Sequence, residues 1–444
     1  LSRVTGGNFV FKRKGKFYGF MYFGQLHICP CAFSLVHAAR FPCNRGETEM
    51  SRIKVAFCIS DMIIGGVETV FLQTMAEILA HEDIEISVIM RQKLREQYFI
   101  DWFKQHPQVK LYTLHPLADW FEHLRKYTHG FPLENIRRIA YGIYKRFKNH
   151  LAMRRGIFAC QDILIDYKNC EFARQLRNCC QPKIAWIHGS INYFEYAHLA
   201  QYMDIYDRVV CLTDSFVSDF KQQYPQYADK IVRIYNPVNV AGIRAIAASR
   251  PAYPGKYFCC VSRLTPDKDI QTVISAFDKF VSHSGATDVK LLIIGTGSTE
   301  QKLRAQVATT KCMAQIEFMG AIPTPFGYMA HAMANILSSH NEGLGMVLLE
   351  SAALGAICIS SDCKNGPAEI LMHGRAGILF APGNSDQLAD AMRTVYRGGP
   401  DIEKMRKNAT RGLERFATAK ISAEIVELLN DVASSRGEKC QKSR

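Results

Sequence analysis

Two glutamates stand eight positions apart in the stretch NEGLGMVLLESAALGA, residues 341–356, around a pair of glycines. Glu350 falls within an otherwise apolar run, Met346 to Leu354, that reads as a helix. A buried carboxylate with no partner is costly, so Glu350 requires a partner or a ligand. It can accept two hydrogen bonds from a diol such as a ribose, or serve as a buried cap or salt-bridge partner. Metal ligation is disfavoured, because no His or Asp stands at a suitable helical spacing. Glu342 lies in the loop before the helix and can face the same pocket as Glu350. Gly343 and Gly345 allow the backbone to come close to a ligand there.

A second constellation follows the apolar run Phe258–Ser262, where Arg263 and Lys268 bracket the start of a helix. Two cations and the free N–H groups of a helix start suit a diphosphate, although an exposed basic loop fits the same residues. Asp267-Lys268-Asp269 also spells D-x-D, but aspartates opening a helix are expected as caps. Gly295-Thr296-Gly297 after a strand lacks the third glycine of a dinucleotide fingerprint. Earlier in the chain, Asp61 and then Gly65-Gly66-Val67-Glu68 follow the run Ile53–Ser60. Backbone N–H groups at such a glycine pair can approach a phosphate, as can those of a plain turn. His188 ends the run KIAWIH, a position that suits a functional histidine although a lone one is more often structural.

The elements that hold these residues alternate. Strand candidates are Ile53–Ser60, Glu85–Met90, Gln108–Leu114, Asp162–Tyr167, Lys183–His188, Arg208–Thr213 and Lys230–Tyr235, with helices such as Glu68–Ala80 and Asp214–Tyr224 between several of them. Asn236-Pro237 and the prolines at 251 and 254 break the pattern, placing a domain boundary there. A second series comprises strands Phe258–Ser262, Lys290–Gly295, Ile316–Gly320, Ala334–Ser339, Ala356–Ser361 and Gly377–Phe380. Its helices include Asp269–Phe280, Thr299–Ala308, Met346–Leu354 and Ser385–Tyr396, and Ala417–Ser434 reads as a terminal helix. The fold class is α/β, two tandem Rossmann-like doubly wound domains, residues 50–240 and 241–415, facing each other across a cleft. Residues 416–444 form a helix and basic tail expected to pack back on the first domain.

The 48% hydrophobic and 22% charged residues fit a globular chain, and no run approaches a membrane span. Fifteen cysteines without paired C-x-x-C sets support neither zinc nor a disulfide framework. The adjacent pairs Cys179-Cys180 and Cys259-Cys260 sit in strand-like runs. Residues 1–49 carry seven Lys/Arg against two acids and no clear period. Read as a signal peptide, Phe17 to Val36 would be its core, but Gly24, Gln25, His27 and Pro30 interrupt it. Alternatively Met50 is the start, with Gly46-Glu47 encodable by a purine-rich ribosome-binding sequence.

Taken together the motifs resemble family 4 of the retaining, nucleotide-sugar-dependent glycosyltransferases, which have the GT-B fold. The matching segments, in family order, are GGVE (65–68), WIHG (186–189), YNPV (235–238), VSRLTPDKD (261–269) and IIGTGS (293–298). The E-x7-E of Glu342 and Glu350, SDCKNGPAEIL (361–371) and GILFAPG (377–383) complete them. The resemblance covers about Arg52 to Val426 and is strongest after Val261. It implies that Arg263 and Lys268 hold and stabilise the departing diphosphate, and that Glu350 binds the ribose. It further implies that Glu342, with the backbone of Gly343, Leu344, Gly345 and Met346, holds hydroxyls of the donor sugar. Gly66 would meet the phosphate, His188 would lie near the sugar, and Asn236 would stand at the hinge. Same-face attack lets a phosphate oxygen take the acceptor proton, so no enzymic nucleophile, cofactor or metal is implied. The implied donor is a nucleotide sugar, a UDP-hexose or UDP-N-acetylhexosamine. The acceptor would be a saccharide or lipid-linked glycan in bacterial lipopolysaccharide or capsule synthesis, made on the cytoplasmic face of the membrane. A nucleotide-sugar epimerase or a non-catalytic sugar-nucleotide-binding protein would share the cleft. A nicotinamide oxidoreductase would need the complete glycine fingerprint, which is missing.

Arg91 to Arg155 holds 14 Lys/Arg against five acids, interleaved with aromatic residues. Within it Ile136, Ile139, Ile143, Phe147 and Leu151 recur at helical spacing beside Arg137, Arg138, Lys145, Arg146 and Lys148. This suits a helix lying on an anionic membrane surface, and equally a core-packed helix with a solvated basic face. Nucleic acid is not expected, since no nucleic-acid module is present.

Overall fold

The computed structural model describes residues 52–442 except 63–64, 126–132, 155, 197 and 250–252. The readings made for residues 1–49 lie outside the described residues. Short, nearly continuous apolar runs form the strands, as expected where helices cover both faces of a parallel sheet. The first sheet contains β1 (Ile53–Ile59), β2 (Ile84–Met90), β3 (Lys110–Thr113), β4 (Ile163–Asp166), β5 (Lys183–Ile187), β6 (Arg208–Cys211) and β7 (Ile231–Arg233). Its order is β3-β2-β1-β4-β5-β6-β7 and every pairing is parallel.

The second sheet contains β8 (Lys256–Val261), β9 (Val289–Ile294), β10 (Ile316–Gly320), β11 (Ala334–Leu337), β12 (Cys358–Ser361) and β13 (Ile378–Phe380). Its order is β10-β9-β8-β11-β12-β13, again all parallel. In each sheet the chain first winds to one side and then returns to the other. The switch points fall between β1 and β4 and between β8 and β11. Ligands of doubly wound sheets bind at such points, beyond the carboxyl ends of the strands.

The described residues form one unit, and their largest core runs through both sheets' helices. Val55 and Phe57 of β1 and Phe71 and Met75 of helix Gly66–Ile78 belong to it with Leu344 and Leu348 of the second domain. Ile421, Ile425 and Leu429 of the last helix, Thr418–Lys442, join the same core. That helix is tied to the first domain by Arg208–Asp431 at 2.8 Å and Arg233–Glu424 at 3.3 Å. The two passages of the chain between the domains meet where the Val238 N–H donates to the Phe416 carbonyl at 2.9 Å.

The structure overturns two expectations, for a cysteine pair and for Arg137, and decides one open alternative. Cys179 and Cys180 lie in an irregular segment before β5, not in a strand, while Cys259 and Cys260 are in β8. The Ile136–Phe147 stripe does not face a core: Ile136, Ile139, Ile143 and Phe147 are all exposed on helix Leu133–Arg154. Arg137, expected among the basic surface residues, instead turns inward and donates to the Phe121 carbonyl at 3.2 Å.

Candidate active site

Arg263 and Lys268 follow β8, and Glu342 and Glu350 follow β11, so both pairs stand at the second switch point. The Lys268 ammonium binds Glu342 Oε1 at 2.6 Å, and the same oxygen accepts from Ser339 Oγ at 2.6 Å. Both members of the pair are largely buried, and Ser338 Oγ fixes the Lys268 carbonyl at 2.6 Å. A buried pair of this kind is held by geometry, and removing one member leaves the other charge stranded. Arg263 is exposed, its guanidinium makes no hydrogen bond or ion pair among the described residues, and its charge acts only at longer range on Asp267. The charge free to meet an anion is therefore on Arg263.

The helix after these cations does not offer open N–H groups as expected. Asp269 caps it, accepting from Thr272 N at 3.4 Å and Thr272 Oγ1 at 2.6 Å. The D-x-D sequence is thus a capping feature, and no group of three or more His, Cys, Asp or Glu among the described residues is arranged to hold a metal ion. A different helix start is open. Met346–Ala353 begins after Gly345 with no side-chain cap. Gly345 has φ 96°, a left-handed conformation that favours glycine.

Glu350 lies in the second turn of this helix. It has no hydrogen-bond or ion-pair partner among the described residues. Burial alone pushes its carboxyl pKa up to about 7. A half-buried acid in an apolar helix without an intramolecular partner is a group prepared for something outside the chain.

Gly343 has a packing role that the sequence does not show. A Cβ there would sit 1.9 Å from the His188 carbonyl oxygen. Glycine is required because the first domain's backbone packs against this loop. Leu344 is buried in the shared core, and its carbonyl meets Gly366 closely enough to exclude a side chain. Asn236 is brought to the same place, with Nδ2 3.7 Å from Met346 Sδ, and its Oδ1 is buried without a partner. The Gly295 and Gly297 pair is structural: side chains there would strike the carbonyls of Ser262 and Leu264 at 1.9 and 2.2 Å.

On the opposite wall, Gly66 opens helix Gly66–Ile78, and the space a side chain would enter is empty to 4 Å. No side chain caps this helix start either. His188, at the end of β5, is buried against Tyr167, ring centroids 4.7 Å apart. Neither ring nitrogen has a partner of normal hydrogen-bond geometry. Burial drives its pKa down to about 3, against a smaller opposing pull from the Tyr167 backbone. His188 is therefore neutral at ordinary pH and cannot contribute a fixed positive charge.

Two residues at the site, Lys168 and Glu369, lie outside the candidates drawn from the sequence. Lys168, just past β4, binds Asp61 Oδ1 at 2.8 Å and Glu68 Oε1 at 3.0 Å. Burial would lower its pKa, but the two carboxylates prevail and raise it. This cluster occupies the first sheet's switch point, and the rule that flagged Arg263 after β8 would have flagged Lys168 after β4. Glu369, within SDCKNGPAEIL, accepts from the Tyr235 hydroxyl and from Asp214 N at 3.1 Å. Ser215 Oγ reaches Asn365 Oδ1 at 3.2 Å beside it. That segment thus fastens the second domain to the first.

Comparison with known proteins agrees with this arrangement. Residues 245–412 match the family model for glycosyl transferases group 1. An exopolysaccharide phosphotransferase of Streptomyces coelicolor is 29% identical over 232 residues, 52% of this chain but only 24% of that protein. A lipopolysaccharide 1,6-galactosyltransferase of Salmonella typhimurium is 27% identical over 266 residues, 57% of this chain and 70% of the relative. Among solved structures, Anabaena HepE in complex with UDP superposes with a TM-score of 0.64 at 18% identity, covering 85% of this chain and 100% of HepE. With two parallel Rossmann-like sheets in this order and a group 1 match in the second, the chain resembles the bacterial GT-B glycosyltransferases.

Proposed function

We propose that this protein is a retaining glycosyltransferase of family 4 that moves a hexose or N-acetylhexosamine from a UDP-sugar to a saccharide or lipid-linked saccharide in cell-surface polysaccharide synthesis. The observation that carries the reading is Glu350, an unpartnered acid beside an open helix start at the second sheet's switch point. Two ribose hydroxyls satisfy it: they donate to the carboxylate and offset the cost of its burial. The relatives give the substrate class its support, one named for galactosyl transfer to lipopolysaccharide and one structure containing UDP.

The donor diphosphate lies towards Arg263, with the amides at Gly66 approaching from the opposite wall. As the glycosidic bond breaks, negative charge gathers on the departing UDP, and Arg263 stabilises it where it forms. Lys268 shares its charge between Glu342 and the phosphate. Glu342, fixed by Lys268 and Ser339, presents its second oxygen to sugar hydroxyls, next to the backbone of Gly343 to Met346. The acceptor hydroxyl attacks the anomeric carbon on the face the diphosphate leaves, and a diphosphate oxygen takes its proton. Neutral His188 and buried Asn236 shape the wall near the sugar. No divalent cation enters the step.

Purified protein incubated with UDP-glucose, UDP-galactose or UDP-N-acetylglucosamine and saccharide acceptors tests this. The expected result is an α-linked product, by NMR of the anomeric proton, with a rate unaffected by EDTA. UDP release without glycosylated product, donor epimerisation or binding without turnover would favour the epimerase or binding-protein readings. A β-linked product would refute retention.

A further inference from the structure

Helix Leu133–Arg154 carries a face that no described part of the protein covers. Ile136, Ile139, Ile143 and Phe147 are 60%, 63%, 63% and 62% exposed. At 3.6 residues per turn the last three lie within about 60° of Ile136, forming one stripe. A helix of a water-soluble domain ordinarily turns such a stripe inward. Here the inward side is occupied by other groups. Arg137 donates to the Phe121 carbonyl, His115 bonds Asn149 at 2.9 Å, and Tyr144 accepts from Leu117 N at 2.9 Å. Phe121 packs on Tyr141 and Tyr144, with centroids 4.9 and 5.4 Å apart. The helix is seated by these contacts and leaves its apolar stripe outside. Trp120, on the neighbouring helix Ala118–Arg125, and Leu117 just before it are also more than half exposed, at 55% and 51%.

The surroundings of the stripe identify what covers it. Leu133–Arg154 contains six Lys/Arg and one acid, Glu134. Arg138, Lys145 and Arg146 are exposed, and Arg146 and His150 follow Ile143 and Phe147 by three residues each. A second copy docking through the same face would bring two sets of cations together, at a cost. A surface of phosphates complements them. No helix among the described residues is long and apolar enough to cross a membrane, so insertion would be in the plane of the surface.

We propose that this face binds an anionic lipid bilayer, with the four apolar side chains in the headgroup–acyl boundary and the flanking cations on lipid phosphates. The interaction is independent of the transfer reaction and requires neither donor nor acceptor. It brings the first domain, which the glycosyltransferase reading assigns to the acceptor, against the surface where a lipid-linked acceptor would lie.

The test is co-sedimentation of the full chain with sucrose-loaded vesicles of phosphatidylcholine, with and without phosphatidylglycerol. The expected result is binding to the mixed vesicles at low salt, at least about tenfold weaker on phosphatidylcholine alone and lost at high salt. Ile139→Ser with Ile143→Ser changes only exposed side chains, so the unfolding temperature is expected to hold while vesicle binding falls at least about tenfold. Arg138→Gln with Arg146→Gln is expected to weaken binding by a similar factor. Equal pelleting with neutral vesicles would overturn the proposal, as would wild-type binding by the Ile139/Ile143 variant. Absence of pelleting would also overturn it. A dimer broken by that variant, with no lipid binding, would identify a second copy as the occupant.

Discussion

Replacing Glu350 with glutamine separates a ligand-binding carboxylate from a structural one. Burial raises this carboxyl from its ordinary 4.5 to about 7. The folded chain therefore prefers the protonated form, and the stability Glu350 contributes is fully present below pH 4.5. It is lost as pH rises through 7, where the folded state must hold a desolvated charge. The full shift corresponds to about 3 kcal/mol, with roughly 2 expected once the residual solvent contact of this half-buried side chain is allowed for. Glu350→Gln removes that penalty. The unliganded variant should match the wild type in unfolding temperature near pH 5 and exceed it near pH 8. The nucleotide response should move the opposite way. UDP at about 100 times its dissociation constant adds ~2.7 kcal/mol to the wild type, roughly 3–5 °C for a chain of this size. The variant should lose most of that shift, because an amide cannot accept from both ribose hydroxyls through two equivalent oxygens. Differential scanning fluorimetry at both pH values, with UDP, GDP, ADP and NAD, reads both effects. A variant destabilised at both pH values would make Glu350 a structural partner and refute the reasoning. A full UDP shift in the variant, or a response to NAD alone, would remove the ribose assignment.

Other outcomes follow from the same geometry. Arg263→Ala removes an exposed guanidinium that makes no hydrogen bond or ion pair among the described residues, so unfolding should change by less than about 0.5 kcal/mol while kcat falls roughly 10²- to 10³-fold. Wild-type turnover by this variant would take Arg263 out of the reaction. Gly343→Ala places a methyl 1.9 Å from the His188 carbonyl and must push the domains apart. Lower thermal stability and faster proteolysis between the domains are expected, and unchanged behaviour would contradict the close approach. His188, with its pKa depressed to about 3, makes the folded state less stable as pH falls below 6.5, by about 2 kcal/mol at pH 5. His188→Asn should flatten that acid limb in urea titrations at pH 7 and 5, and an unaltered limb would mean the ring is already protonated in the fold.

The sequence by itself determined the alternation of strands and helices, the tandem doubly wound architecture and the places where chemistry could stand. Those follow from local periodicity. Runs such as Ile53–Ile59 and Val289–Ile294 are apolar on both faces because both faces are covered. Arg263, Glu342 and Glu350 could be placed because each lies within a few residues of a strand end or helix start. Pairing is not local, and only the tertiary structure decided it. Lys268 meets Glu342 74 residues away, and Lys168 meets Asp61 and Glu68, 107 and 100 positions earlier. The sequence offers Gly343 as room for a ligand, and the structure adds that its missing side chain makes room for the backbone of the other domain. The stripe Ile136–Phe147 has the same spacing whether a core or water lies opposite, since periodicity defines a face but not what it meets. What lies opposite depends on how distant segments pack, and for Ile136, Ile139, Ile143 and Phe147 the answer among the described residues is solvent.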